Sequence, residues 1–377
     1  MTPGRPRVTV AMITYNHERY VAEAISSILG QTYEDFELLI VDDGSSDRTP
    51  AIIHEFRDER IRYLSQANQG PSAARNTALR EARGEFVAQM SSDDVAEPNR
   101  LARQVEVLSG RADRVVFSDI VTIDELGRPL AGGAGAGSAV APPSLREMAN
   151  RSRAELLRHL FVTGNCISAP TAFAAREVFT AAGGYDVLML QVQDWDMWTR
   201  LLLRGLVLQT VLEPLLRYRI RADQHNLSAP TGAAVARGFF EVRRLLRAYR
   251  AIASVAELRS IFPEVDRLGY PLHDEFTAFY LALIAIANTG TNRITEHFGA
   301  DLLLELMAAP DFRARARDRL GFHLPDLFRV LGATDPLRRR ELDSAVEALT
   351  HSRSWRFTRP LRAAYAFASR LRRRGRS

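Results

Sequence analysis

Three acidic clusters in this chain have the residue types to hold a nucleotide, a divalent metal and a proton in one cleft: Asp42-Asp43-Gly44, Ser92-Asp93-Asp94 and Gln193-Asp194-Trp195-Asp196. A carboxylate accepts a hydrogen bond from the imino N–H of a uracil or thymine ring, offers oxygen to a hard cation, or takes a proton from a hydroxyl. Each cluster also has a plainer explanation when taken alone. The first reads as a solvated Asp-Gly turn, the second as a helix N-cap ahead of Pro98–Leu108, and the third as dipole partners in a helical first turn. The chemistry requires the three to converge.

The elements that would bring them together are legible as a strand–helix alternation. Val8–Ile13 is a short apolar β-rich run, and Glu18–Leu29 has Tyr20, Val21, Ala24, Ile25 and Ile28 at helical spacing. Phe36–Val41 (FELLIV) is continuously apolar, as in a parallel strand buried on both faces. Pro50 suits the first turn of the next helix, Arg60–Leu64 is a short strand, and Ala73–Arg83 is a helix with Gly84 as its stop. Phe86–Met90 is a further strand, ended by Ser91-Ser92-Asp93-Asp94. This pattern predicts a doubly wound α/β sheet with its functional groups at the strands' C-terminal ends. Ala131–Ser144 is Gly/Ala/Pro-rich and reads as a loop. From about residue 230 strands give way to helical patterns over Phe239–Ala253, Phe276–Ala287, Leu302–Met307 and Arg338–Leu349, with a boundary expected near Ser228-Ala229-Pro230.

Composition excludes several classes. All 50 basic residues are arginine, so no lysine chemistry is available. The net charge of +5 belongs to the tail: residues 351–377 hold nine arginines and no acid, leaving −4 for the rest. No basic stripe with interleaved aromatics occurs elsewhere, which argues against a nucleic-acid partner. The single cysteine, Cys166, excludes an intramolecular disulfide and fits a reducing compartment. The N-terminus enters a strand without a signal-peptide pattern, and the apolar run Phe276–Ala287 is shorter than the roughly 20 residues that span a bilayer. A cytoplasmic location is expected, with a peripheral membrane contact available to the tail.

The ordered segments TYN, QTY, FELLIVDDGSSDRT, NQGPSAARN, ARGEFVAQMSSDD, P-x-RL, GGYD, QDWDMWTRLLLRG and YRIR closely resemble the family 2 glycosyltransferases over residues 7–228. The resemblance implies an inverting enzyme of GT-A fold and gives each matching position a role. Thr14 and Tyr15 lie where the first strand ends against the nucleoside base. Asp43 matches the acid that bonds the uracil or thymine ring, with Asp42 beside it, and Arg75 matches a basic position near the nucleotide. Ser92 belongs with the nucleotide-binding residues. Asp93 matches the last acid of the family's D-x-D motif, so Asp93 and Asp94 are the expected metal ligands, for Mn²⁺ or Mg²⁺. Asp194 matches the catalytic base.

Three positions depart from the pattern. Ser91 replaces the first acid of D-x-D, Gln193 replaces the acid before the base, and Tyr218-Arg219-Ile220-Arg221 replaces Tyr-Arg-x-His, with His225 as a possible substitute ligand. Arg221 is also suited to pair with phosphate oxygens.

The expected architecture is a GT-A doubly wound mixed α/β sheet at 1–229, a helical domain at 230–350 and a basic amphipathic tail at 351–377. The expected partners are a nucleotide-diphosphate sugar, a glycan or lipid-linked acceptor, and anionic lipid for the tail, whose Trp355 and arginines resemble the "SWR-x-T-x-PLR" ends of some bacterial glycosyltransferases. The 131–144 loop would be a lid. Two other readings stay open: a sugar nucleotidyltransferase, and a non-catalytic sugar-nucleotide-binding assembly protein.

Overall fold

The structure is a computed structural model and describes residues 5–108, 110–130, 149–221, 231–288 and 294–334. The expected loop at 131–144, His225, the helix Arg338–Leu349 and the tail 351–377 lie outside the described residues, as does the expected boundary at Ser228-Ala229-Pro230.

The N-terminal half alternates as the sequence predicts. Strand β1 is Val8–Thr14, α1 Val21–Leu29, β2 Phe36–Asp42, α2 Thr49–Glu55, β3 Ile61–Ser65, α3 Pro71–Glu81, β4 Phe86–Ser91, β5 Val95–Ala96 and α4 Arg100–Leu108. Helix α1 begins three residues later than its periodicity suggests. Asn16 takes a left-handed conformation (φ 53°), and the chain must complete that turn before helix can start. Three later strands follow: β6 Arg114–Ile123, β7 Phe173–Ala175 and β8 Val207–Arg219. They form one eight-stranded sheet in the order β3-β2-β1-β4-β7-β6-β8-β5. Strands β1 to β4 are mutually parallel where they pair, while β7 runs antiparallel to both β4 and β6. The sheet is therefore mixed, as expected. Its core is continuous through Val10, Met12, Ile25, Leu38, Ile40, Met90 and Leu101.

Register fixes the site's position. Thr14 on β1 lies opposite Asp42 on β2, and Ile13 opposite Ser91 on β4. The C-terminal ends of these three neighbouring strands therefore stand level, and the first two acidic clusters emerge on one edge.

Gly84 has a different task from the helix stop suggested by its sequence position. Helix α3 ends at Glu81, three residues earlier. A Cβ on Gly84 would lie 2.5 Å from the Thr9 nitrogen and 2.7 Å from the Val8 carbonyl carbon. Only glycine lets this backbone approach β1, where the Gly84 N–H donates to Thr9 Oγ1 at 2.8 Å. We expect Gly84→Ala to cost roughly 1–3 kcal/mol in urea denaturation, because a backbone neighbour cannot yield as a side chain does; a loss below about 0.5 kcal/mol would refute this packing argument.

Beyond the sheet, every described element is helical. The main helices are Gly232–Leu246, Val255–Ile261, Thr277–Ala287, Ile294–Ala308, Pro310–Leu320 and Leu324–Gly332. Thr277–Ala287 is buried almost all round, and Gly299 permits close contact with it: an added Cβ would lie 2.6 Å from the Ala282 carbonyl oxygen. This explains the long apolar run without a bilayer. No described helix is long and apolar enough to cross a membrane. Among the described residues, those up to Phe312 form one compact unit and those from Arg313 a second. In the second, the helix Leu324–Gly332 is closed at its start by His323 and Asp326 in a reciprocal cap.

Candidate active site

The first cluster is a clasp. Asp42 Oδ1 accepts the Ser45 N–H at 2.9 Å, and Oδ2 accepts the Tyr63 hydroxyl at 2.8 Å. Burial and this carboxylate push the Tyr63 phenol up to about 12. Asp43 Oδ1 accepts from Gln66 Nε2 at 2.8 Å and the Gln69 N–H at 3.0 Å, and Oδ2 accepts the Gly70 N–H at 2.7 Å. Gly70 sits at φ 85°, a conformation that favours glycine, and opens α3. The Asn-Gln-Gly-Pro segment thus delivers two backbone amides to Asp43. Beside it, Thr14 is buried with its Oγ1 unpartnered among the described residues, whereas Tyr15 is 46% exposed.

The second cluster divides inward and outward. Asp94 is buried; its Oδ1 accepts the Arg219 N–H at 3.0 Å, and its Oδ2 finds no partner among the described residues. Burial, reinforced by the neighbouring Asp93 charge, holds its carboxyl well above the usual range. Asp93 faces an imidazole and a guanidinium, with His17 Nε2 and Arg221 Nε each 3.9 Å from its Oδ2. Burial depresses the His17 imidazole, Asp93 opposes that shift and Arg221 reinforces it. The Ser92 hydroxyl is spent on His17 Nδ1 at 2.7 Å. Arg219, the arginine of the Tyr-Arg pair, holds the main chain: its Nε donates to the Asp93 carbonyl at 2.8 Å and its Nη2 pairs with Glu23 at 2.6 Å.

The third cluster opens the helix Gln193–Leu203. Asp194 Oδ1 accepts the Trp195 N–H at 2.8 Å, and Oδ2 accepts Asn165 Nδ2 at 2.9 Å. Burial raises its carboxyl above the ordinary value, opposed by the Trp195 N–H, the Arg75 charge and Asn165. Asp196 is occupied elsewhere. It pairs with Arg200 at 2.6 Å, and Arg200 ties this helix to the Ala182 and Gly184 carbonyls.

One helix joins the clusters. Along α3, the Gly70 N–H grips Asp43 and Ser72 Oγ donates to the Met189 carbonyl at 2.8 Å. Arg75 then lies close enough to bias Asp194, while its Nη1 donates to Gln89 Oε1 on β4 at 2.6 Å and its guanidinium covers the Tyr185 ring at 5.6 Å. Asn76 clasps the Tyr185 backbone from both sides, at 2.7 and 2.8 Å. Gly184 takes a left-handed conformation (φ 71°) that favours glycine, and a Cβ there would press on Asn76 Oδ1. The third cluster, about 100 residues further on in sequence, is thereby fastened to the helix that starts at the first.

Asn165, Arg100 and Tyr185 belong to this site although sequence reasoning gave them no role. GGYD and P-x-RL were visible as segments, but the work of Tyr185 and Arg100 depends on partners distant in sequence. Asn165 sits in an irregular stretch and carried no signal.

The carboxylate of Asp93 suits a hard cation, since Mg²⁺ is commonly held by one or two carboxylates with substrate phosphates completing its shell. Among the described residues, no group of three or more His, Cys, Asp or Glu side chains forms a metal site by itself.

Comparison with known proteins gives the family and the fold. The sequence model described as Glycosyl transferase family 2 matches residues 9–159. An uncharacterised glycosyltransferase of Methanocaldococcus jannaschii is 30% identical over 231 residues, 59% of this chain and 74% of that protein. A UDP-Glc:α-D-GlcNAc-diphosphoundecaprenol β-1,3-glucosyltransferase of Escherichia coli is 43% identical over 102 residues, 27% of this chain and 40% of that protein. Three other relatives are matched over only 31–37% of their length. The crystal structure of Staphylococcus aureus TarS 1–349 in complex with UDP-GlcNAc shares the fold, with a TM-score of 0.53 and 16% identity over 87% of this chain and 91% of that one.

Proposed function

The chain belongs to glycosyltransferase family 2, and on that premise we propose an inverting transferase that moves a sugar from a UDP-sugar, with dTDP as the second choice of nucleotide, to a hydroxyl of a glycan or lipid-linked acceptor in surface polysaccharide synthesis. The observation that carries the reading is the bridge made by α3, which grips Asp43 at its start and brings Arg75 to Asp194 one and a half turns later. The name of the Escherichia coli relative, with a UDP-sugar donor and a diphosphoundecaprenol-linked acceptor, supports this choice of donor and acceptor.

In this reading Thr14, Tyr15 and Asp43 receive the nucleoside, with Asp42 holding their loop. A carboxylate has about four acceptor sites. Asp43 uses three on its own chain, leaving one for a pyrimidine imino N–H. Arg75 lends positive charge on the nucleotide side, and Ser92 fixes His17 beside Asp93. Asp93, backed by the buried Asp94, would hold Mn²⁺ or Mg²⁺. Such an ion, when bound, neutralises charge on a leaving diphosphate. Arg221 adds a cation at the same place. Asp194 takes the proton of the acceptor hydroxyl as its oxygen bonds the anomeric carbon and the bond from that carbon to the diphosphate oxygen breaks. A single displacement of this kind inverts the centre. Gln193 leaves Asp194 without a second carboxylate in the preceding position, so the base acts alone. The tail 351–377 is proposed to meet anionic lipid, where a lipid-linked acceptor would be found.

Calorimetry with UDP tests the metal assignment. Mn²⁺ should strengthen UDP binding by the parent chain, and Asp93→Ala should remove that gain. An equal Mn²⁺ gain in both proteins would take Asp93 out of the metal site.

A further inference from the structure

We infer that Glu241, outside the segment that carries the family resemblance, is a positioning residue for Asp194. The inference rests on Asp194 being the base, as proposed above. Glu241 lies on the helix Gly232–Leu246 and is only 8% exposed despite its charge. Its Oε2 accepts the backbone N–H groups of Gln191 at 2.7 Å and Val192 at 3.1 Å. These are the last two amides before the Asp194 helix begins at Gln193, and Val192, its N-cap residue, supplies no side-chain cap. Glu241 provides from another helix the anionic partner that this helix start lacks in its own sequence.

One turn further along, Arg244 Nε reaches Asp186 Oδ2 at 2.7 Å, at the other end of the same loop. On its opposite side the loop is fastened by Ser72 to the Met189 carbonyl and by Asn76 to the Tyr185 backbone. Segment 185–192 is therefore suspended between α3 and the Gly232–Leu246 helix. Asp194 follows it by two residues. The distance between the base and the nucleotide helix depends on both fastenings, and Glu241 is the outer one. Without it, two amides lose their acceptor and the helix start is free to shift; a displacement of about 1 Å at a reacting group costs on the order of 10²-fold in rate.

The test uses the full chain with Glu241→Ala, Glu241→Gln and Asp194→Asn. It measures UDP release from UDP-glucose and UDP-N-acetylglucosamine, UDP affinity by calorimetry, and hydrogen exchange of segment 186–196. Glu241→Ala should speed exchange there by ~10-fold or more and lower UDP release by ~100-fold, with UDP affinity held within ~3-fold of the parent. Glu241→Gln keeps an oxygen acceptor and should recover at least ~10-fold of that loss. A general loss of fold would instead weaken UDP binding as well. Unchanged exchange at 186–196 overturns the inference. So does full turnover in Glu241→Ala beside an inactive Asp194→Asn, which leaves the base assignment standing. Full turnover in Asp194→Asn overturns the base assignment itself.

Discussion

Asp194→Asn binds UDP as the parent does and transfers sugar at least ~100-fold more slowly, the loss expected when a general base is removed. The substitution keeps the size of the side chain, removes the ability to accept a proton and turns one of its two acceptor atoms into a donor. Of the Trp195 N–H and Asn165 Nδ2 donors that the carboxylate accepts, one keeps an acceptor oxygen in the mutant. Comparable single-turnover rates for mutant and parent would remove Asp194 from the mechanism.

The same residue sets a pH dependence. Burial, the largest influence, raises its carboxyl, while the Trp195 N–H, Arg75 on α3 and Asn165 pull it back. The base must be ionised, so kcat should fall as pH drops through a value above the ordinary carboxylate range. That limb should vanish in Asp194→Asn. The sign for stability is opposite. With the folded pKa above the unfolded one, the native state binds more protons in the window between them, so this group's contribution to stability declines as pH rises through it. The fold disfavours the charged form that the chemistry uses, as is common at functional sites.

Arg100→Ala should lose about 3–5 kcal/mol of stability, the range for removing one partner from a buried charge system. Arg100 is wholly buried beneath the second cluster. Its Nη2 donates to the Gln89 and Pro170 carbonyls, both at 2.7 Å, and its Nε to Gln104 Oε1 at 3.1 Å. Burial lowers its guanidinium to about 10, opposed by Asp94, so it stays charged at neutral pH. Its removal orphans two carbonyls and leaves Asp94 with less compensation. In urea denaturation the double mutant Arg100→Ala/Asp94→Asn should cost less than the two single losses added, because the two groups share one buried electrostatic environment. A loss under about 1 kcal/mol for Arg100→Ala would mean that this cation is not needed to hold the strand end.

Much of the site's frame was legible in the sequence. FELLIV reads as a strand buried on both faces, and all seven residues of β2 are buried. The acids after it had to emerge at its C-terminal end. The later strands were harder to see. Strand β7 has three residues, and β8 shifts register against β6 near Ser118–Ile120, where it passes Pro214. Neither presents a clean period of two, because β7 owes its place to pairing with β4 and β6 and β8 is bent.

Local sequence determined the order of strands and helices in the N-terminal half, and therefore that the first two carboxylate clusters stand at strand ends. Only the tertiary structure decided which carboxylates are spent on holding the chain. Asp42 accepts from Ser45 and Tyr63, and most of the acceptor capacity of Asp43 is taken by Gln66, Gln69 and Gly70. Asp94 accepts an amide 125 residues away, and Asp196 is taken by Arg200. Asp93 has the His17 imidazole and the Arg221 guanidinium at 3.9 Å, and Asp194 is half-buried with two neutral donors. The physical reason is that a carboxylate has few acceptor sites, and its chemistry depends on which are filled and how much water remains. Those are properties of partners distant in sequence, such as Arg219, Asn165 and Arg75, and no local pattern encodes them.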